Sequence, residues 1–459
     1  MVIDVARVIS AVPDFKRFSS VRELHRLVDS LSAKSASFRV EVAGTSEGGS
    51  PIHHVRYGRG AVKVLLVGFP HANEPIGGLT VFSLLSLLAQ GHSQLTHSNV
   101  EWHIVPCIDP DGAELNEAWT QCAFTLESYL RGFHRQELRD QAECSFPINH
   151  KRLVFDQPTH EARVLQDILS RVRPDLYYSL HNAWVGGAFF ALTRGIDSGS
   201  YLQLYELLAS HQIPLRGNAQ PGDVKLAEGV FQMATVKGLY DRLEKVLPHP
   251  EYALRSGACS WEYLEEIKSD ALTFVAELPH VRHPVDGSIA DTGQSYRHLK
   301  LRIDADNKYL VTVILDEWEH VKDDLDVRSP LYKKVYNGII SQRDHLPEGL
   351  PAWVSKTRET LFNSAYSGTM TEGERFEVYQ TDRFFVLCHC YEFVRLLCAS
   401  PQTAFVERAI ARLESLFRSA LDELARVLEF YRYEAIDLGA LARVQLGAGL
   451  IVINSLLRT

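Results

Sequence analysis

A histidine and a carboxylate at the right separation can grip one divalent cation, and the chain carries such a pair just after a strand-like run. In Phe69-Pro70-His71-Ala72-Asn73-Glu74 the imidazole and the carboxylate are three residues apart, so one tight turn lets both converge on a point. Zinc accepts both donor types. The spacing alone says little, because His71, His134, His345 and His389 are all followed by Glu at the third position. His389 sits in Cys388-His389-Cys390, but on a helix the neighbours at i and i+2 diverge. Ordinary packing is the expectation there.

Position sets His71 and Glu74 apart. In open α/β sheets, functional groups gather beyond the carboxyl ends of the strands. Three apolar runs end in ionisable groups: Val64 to Val67 before His71, Leu176 to Leu180 before His181, and Ala271 to Ala276 before Glu277. If these strands are neighbours, His71, Glu74 and His181 supply three ligands and leave a coordination position open, the pattern of a catalytic zinc site. Glu277 then stands near the remaining position. On spacing alone the alternative stays open, a satisfied strand-end histidine and a surface acid.

The elements that must position these groups alternate along the first half. Gly78 to Gln90 has apolar residues at helical spacing, Val100 to Ile108 reads as a strand closed by a turn at Asp109-Pro110-Asp111-Gly112, and His160 to Arg173 reads as a helix stopped by Pro174. Strands interleaved with helices predict an α/β fold, a mixed, largely parallel sheet flanked by helices. Beyond about residue 300 helical patterns take over, notably Phe384 to Cys398 and Phe405 to Phe430. Asp323-Asp324-Leu325-Asp326 before Ser329-Pro330 marks the expected boundary. It divides a catalytic domain, 1–326, from an added all-α domain, 327–459.

Several motifs then fall in one order: His71-x-x-Glu74, Pro106-x-x-Asp109-Pro110-Asp111-Gly112, Leu180-His181-Asn182, and Thr273-Phe274-Val275-Ala276-Glu277-Leu278. That order resembles the zinc carboxypeptidases of the M14 family over roughly residues 40 to 300. Ser256 to Tyr263 is similar to the family's Gly-Gly-Ser-x-Asp-Trp-x-Tyr segment, with one residue fewer and Glu262 displaced from the acidic position. The resemblance implies one Zn2+ per chain held by His71, Glu74 and His181. It also implies that Glu277 is the general base, which takes a proton from the activated water and passes it to the leaving amine.

For the oxyanion the family uses an arginine, which implies Arg135 here, with Arg131 as second choice; either is alternatively a solvated helix charge. Tyr252 lies near the position of the family's mobile tyrosine, and Tyr263 competes with it. The family's Asn-Arg clamp for a free C-terminal carboxylate has its nearest counterpart in Asn149-His150-Lys151-Arg152. Arg does not follow Asn directly, which puts simple carboxypeptidase action in question; Arg152 or Lys151 is the substitute, although Lys offers only a point charge. Cys259 and Ser260 mark a small, mildly polar pocket floor. Gly186-Gly187 permits close backbone approach to a ligand or another strand, or is plain turn chemistry.

Composition bounds the partners. The 459 residues are 46% hydrophobic and 23% charged, ordinary for a globular chain of about three domains' length at roughly 150 residues each. The net charge is 48 − 57 = −9, without a dense basic block, so nucleic acid is not expected as a partner. Leu446 to Leu457 is an apolar stretch short of the roughly 18–20 residues that span a bilayer, Met1 to Ser20 lacks a signal-peptide pattern, and the seven cysteines are scattered and odd in number. The expectation is a reduced, cytoplasmic protein with no membrane partner. It would be a zinc hydrolase of a peptide or amide bond, a carboxypeptidase acting on a short or modified peptide. The alternatives are an amidohydrolase or deacylase of a small acyl-amino acid and a zinc-binding recognition module without catalysis.

Overall fold

The structure, a computed structural model, describes residues 2–216, 224–254, 256–286, 288–340, 368–429 and 433–458. His345 and Phe430 lie outside the described residues. Two compact units interleave along the chain. The first comprises Met1–Ala123, Leu138–Arg282 and Ala435–Thr459, and the second Phe124–Glu137 and His283–Glu434.

A mixed nine-stranded sheet organises the first unit. Its strands are β1 (Phe38–Thr45), β2 (Pro51–Tyr57), β3 (Val62–Gly68), β4 (Val100–Val105), β5 (Leu176–Leu180), β6 (Phe189–Leu192), β7 (Val224–Ala227), β8 (Val230–Gln232) and β9 (Leu272–Glu277). The spatial order is β1-β2-β4-β3-β5-β9-β6-β8-β7. The four central strands, β4, β3, β5 and β9, run parallel to one another, and antiparallel pairs lie towards both edges. These central strands are almost wholly apolar runs because helices cover both faces of a parallel sheet. Val64 to Val67 and Leu176 to Leu180 are buried throughout.

The flanking helices follow from the same periodicity. Helix α1 (Val21–Lys34) starts in a capping box between Ser20 and Glu23. Helix α2 (Ile76–Ala89) follows the His71 turn. Helix α4 (His160–Val172) buries Leu165, Ile168 and Leu169 in one cluster with Val67 and Tyr177. The expected strand over Val100 to Ile108 stops at Val105, since Pro106 brings no backbone N–H to the ladder. The Asp-Pro-Asp-Gly segment is a helix start: Asp109 caps α3 (Pro110–Leu115), its carboxylate accepting from Gly112 N at 2.9 Å, with Pro110 at the first helical position. The same residue types serve a turn and a helix N-terminus, which is why the sequence suggested the turn. Gly187 (φ +82°) does bring two backbones together: a Cβ there would lie 2.8 Å from Arg216 N, and Ala188 exchanges hydrogen bonds with Pro214 and Arg216.

The compact units do not part at residues 326 and 327, the boundary suggested by composition. The last helix, α9 (Leu438–Arg458), belongs to the first unit. By length and composition it is apolar enough to cross a membrane, yet 78% of its apolar window is buried inside the protein, as befits a core helix. Its apolar run begins earlier than Leu446, across Arg443, whose guanidinium reaches back to Val12 O and Asp14. Gly449 lets α9 approach the sheet closely: a Cβ there would come within 2.5 Å of the Tyr178 ring.

The second unit is largely helical, built on α6 (Tyr296–Val321), α7 (Phe385–Ala399) and α8 (Ala404–Glu429), with α5 (Ser260–Ile267) preceding it in the first unit. Within it the fully buried Glu392 pairs with His134 at 2.6 Å and lies 3.8 Å from Lys334. His389 packs its ring on Phe133 and Phe385, and Cys388 and Cys390 are buried. Packing therefore accounts for the Cys-His-Cys run.

Candidate metal centre

Sheet order brings the three strand ends together. Gly68 on β3 pairs with Leu180 on β5, and Ser179 on β5 pairs with Val275 on β9. His71, His181 and Glu277 thus leave three adjacent parallel strands at one edge, where such sheets place their functional groups. The chain turns sharply beyond β3: Phe69 takes a left-handed φ of +53°, a strained conformation for a non-glycine residue. Glu74 N then donates to His71 O at 3.1 Å and closes the turn.

The Glu74 carboxylate lies between the two imidazoles. Its Oε1 is 2.8 Å from His71 Nδ1, and its Oε2 is 2.9 Å from His181 Nδ1. The rings are 4.7 Å apart and steeply inclined. Glu277 Oε1 approaches His181 Nδ1 to 3.8 Å from the more open side. Three of the residues proposed as ligands and the proposed base therefore share one small volume.

The structure adds a residue that sequence reasoning missed. Glu143, with no exposed surface, accepts at 2.9 Å from His181 Nε2, at 2.7 Å from Ser179 Oγ, and from the Tyr177 hydroxyl. Donor atoms of His71, Glu143 and His181 lie within 4.8 Å of one another, enough to hold a cation. Two ligand sets thus share the histidines. We favour the one with Glu74, because Glu143 then fixes the second ring nitrogen of His181, the common outer-shell arrangement around a metal-binding histidine.

Electrostatics balances the charges of the cluster against one another. Burial by itself would lower the pKa of His181, but Glu74 and Glu143 raise it well above the ordinary value. Burial would raise that of Glu143, yet the charges on His181 and His71 and the hydrogen bonds from His181 and Tyr177 bring it down to about 2. Carboxylates this buried need positive charge beside them. His181 Nδ1 is buried and, although close to Glu74, makes no hydrogen bond of acceptable geometry. Two imidazoles and a carboxylate converging on one point are a donor set that suits a divalent cation.

Two more groups support the turn. Asn182 Oδ1 accepts from Ile76 N at 3.2 Å at the start of α2, and its own N–H donates to Glu74 at 3.3 Å. The Asn182 amide donates at 2.8 Å to His280 Nε2; burial depresses His280 to about 4, against a weaker upward pull from Glu74, and keeps it a neutral acceptor. From α9, Gln445 donates to His181 O at 2.6 Å and accepts from Thr80 Oγ1 at 2.7 Å, while Tyr178 donates to Gln445 O. The far end of the chain therefore clamps the site.

The residues expected to bind substrate are placed differently. Lys151 pairs with Asp241 and Glu244, Arg152 reaches Pro248 O and Glu251, and Asn149 is exposed on a short strand. Tyr252 is 55% exposed beside His249, and Tyr263 bonds Ser170 at 2.7 Å. Ser260 has no exposed surface and donates to Tyr177 and Glu143, so it backs the Glu143 network. Glu262 caps α5 through Cys259 N and also holds Val236 N and Lys237 N. Arg131 and Arg135 lie in the second unit. There Arg131 is bound by Glu127, Glu414 and Tyr391.

Two histidines and buried carboxylates thus gather at the carboxyl ends of neighbouring parallel strands. Residues 24–143 match the model of the zinc carboxypeptidase family, peptidase M14; the match takes in His71, Glu74 and Glu143, while His181 and Glu277 lie beyond it. No curated protein sequence matches the chain. Among solved structures, the chain is similar to a metallo-carboxypeptidase from Burkholderia cenocepacia (14% identity, 57% of this chain and 60% of that one, TM-score 0.33). It is also similar to carboxypeptidase A from Helicoverpa armigera (15%, 60% and 69%, TM-score 0.35). A metallo-carboxypeptidase from Pseudomonas aeruginosa gives 18% identity, 57% and 60% coverage, and a TM-score of 0.32. The chain thus spans 60% of the length of the first of these, and likenesses this distant do not bear on substrate or mechanism.

Proposed function

We propose that the first unit is a zinc-dependent hydrolase that cleaves a peptide or amide bond, acting as a carboxypeptidase on a short or modified peptide. One observation carries this reading: His71 Nδ1, Glu74 and His181 Nδ1 converge, with Glu277 3.8 Å from the same His181 nitrogen. The proposed zinc ligands are His71, Glu74 and His181. When bound, zinc lowers the pKa of a water towards neutrality and polarises the scissile carbonyl.

The chain's own groups do the rest. Glu143 meets His181 Nε2 at 2.9 Å and so fixes the ring with Nδ1 turned toward Glu74. Asn182 and Gln445 fix the strand end and the Glu74 turn. To Glu277, less buried than Glu74, we assign the role of accepting a proton from water and passing it to the leaving amine. We also propose a reducing, cytoplasmic setting, in keeping with seven free cysteines.

A second reading, an amidohydrolase or deacylase of a small acyl-amino acid, is favoured by the carboxylate-clamp candidates. Lys151 and Arg152 are both tied to neighbouring acids or carbonyls. Short peptides with free and with amidated C-termini, alongside N-acyl amino acids, separate the two readings. The carboxypeptidase reading expects cleavage of free-acid peptides only. Equal cleavage of the amidated peptides, or cleavage restricted to the acyl-amino acids, contradicts it in favour of the second.

A further inference from the structure

Beyond Glu277 the sheet presents an arginine with no part in the hydrolysis as proposed. Strand β6 runs antiparallel to β9, so it begins where β9 delivers Glu277, and Phe189 pairs directly with Glu277. Facing residues of such a pair project from the same side of the sheet, with Cβ atoms roughly 4.5–5.5 Å apart. His181 shares that face, two residues beyond Ser179, which pairs with Val275. The Arg216 guanidinium stacks over the Phe189 ring, 5.0 Å from its centroid, and Arg216 Nε is buried. Two glycines put it there. Gly186 and Gly187 take φ values of +92° and +82°. The missing Cβ of Gly187 lets the 214–216 segment close in, with Arg216 N donating to Ala188 O at 2.8 Å.

We propose that Arg216 holds a carboxylate on the leaving half of the substrate, its main-chain carboxylate or an acidic side chain, and so selects the residue released. This rests on the reading of Glu277 as the base beside the metal. The order across the sheet is β3, β5, β9, β6, so the proposed ligands, Glu277 and Arg216 follow one another along one edge. Glu277 returns its proton to the leaving amine. The group attached to that amine therefore extends away from the ligands, past Glu277 and towards Phe189. A guanidinium stacked on an aromatic ring keeps its N–H fork available for bidentate pairing with a carboxylate, and partial burial strengthens such a pair. Lys151 and Arg152, the carboxylate holders suggested by residue type, are occupied by Asp241, Glu244 and Glu251.

The test uses the zinc-loaded full chain with benzoylglycyl-phenylalanine, benzoylglycyl-glutamate and the α-amide of each. The free acids are measured as substrates and the amides as competitive inhibitors. In Arg216→Ala the KM of the acids should rise at least about tenfold, the scale of one hydrogen bond to a charged group, with kcat changed less. Arg216→Lys should recover part of the loss, since it restores charge without the fork; Arg216→Gln replaces the Ala variant if that one folds poorly. A shift for both acids and neither amide marks the main-chain carboxylate as the group held. A shift confined to the glutamyl probes marks the acidic side chain. No shift, equal weakening of acids and amides, or a fall in kcat with KM unmoved overturns the assignment. If the parent cleaves neither acid, the function proposed above fails separately, and calorimetric binding of the acids still decides Arg216. Acids bound no more tightly by the parent than by Arg216→Ala overturn its role; at least about tenfold tighter binding by the parent, absent for the amides, upholds it.

Discussion

Glu277→Gln is expected to keep its zinc and lose turnover. Gln is nearly the same size and shape as Glu, but its amide cannot accept and return a proton. General-base assistance is commonly worth about 10²–10⁴-fold, and kcat on any peptide the parent cleaves should fall by that order. Glu277 lies 3.8 Å from His181 Nδ1 and is the least buried of the clustered acids, so its substitution need not disturb the fold. Zinc content and kcat are measured on the same preparation. Equal turnover by the variant and the parent removes Glu277 from the mechanism. An inactive parent that nonetheless holds zinc supports a recognition module instead.

The second large effect is on stability. Glu143→Ala removes the acceptor for the Tyr177 hydroxyl, Ser179 Oγ and His181 Nε2 at once, at a position with no exposed surface. Breaking one side of a buried charged pair costs roughly 3–5 kcal/mol, and unsatisfied buried donors add to that. Urea unfolding of the variant should show a loss of that size. A loss below about 1 kcal/mol, the scale of an exposed pair, would show that Glu143 is not the anchor of His181.

How much of this was legible in the sequence varies by residue. The strands ending at Gly68, Leu180 and Glu277 were readable because buried parallel strands are short, unbroken apolar runs. Their terminal groups stood out by falling just beyond such runs. Nothing local marks Glu143: it lies in an irregular segment and meets His181 across 38 positions of chain. Gln445 was hidden for a related reason, since a helix that is apolar nearly all round carries no stripe to show which surface it covers. That is also why α9 read as part of a separate helical domain, when its small Gly449 and polar Gln445 dock it on the sheet. Lys151 and Arg152 suggested a substrate clamp by residue type, but only the fold shows Asp241, Glu244 and Glu251 beside them.

Elemental analysis of purified protein, dialysed against limiting zinc, tests the central claim most directly. The account predicts about one zinc per chain in the parent, removed by a chelator, and almost none in His71→Ala or His181→Ala prepared alongside, because each loses one of three proposed protein ligands. A folded parent that takes up no zinc, or a His71→Ala variant that retains it at the parent's level, would contradict the account.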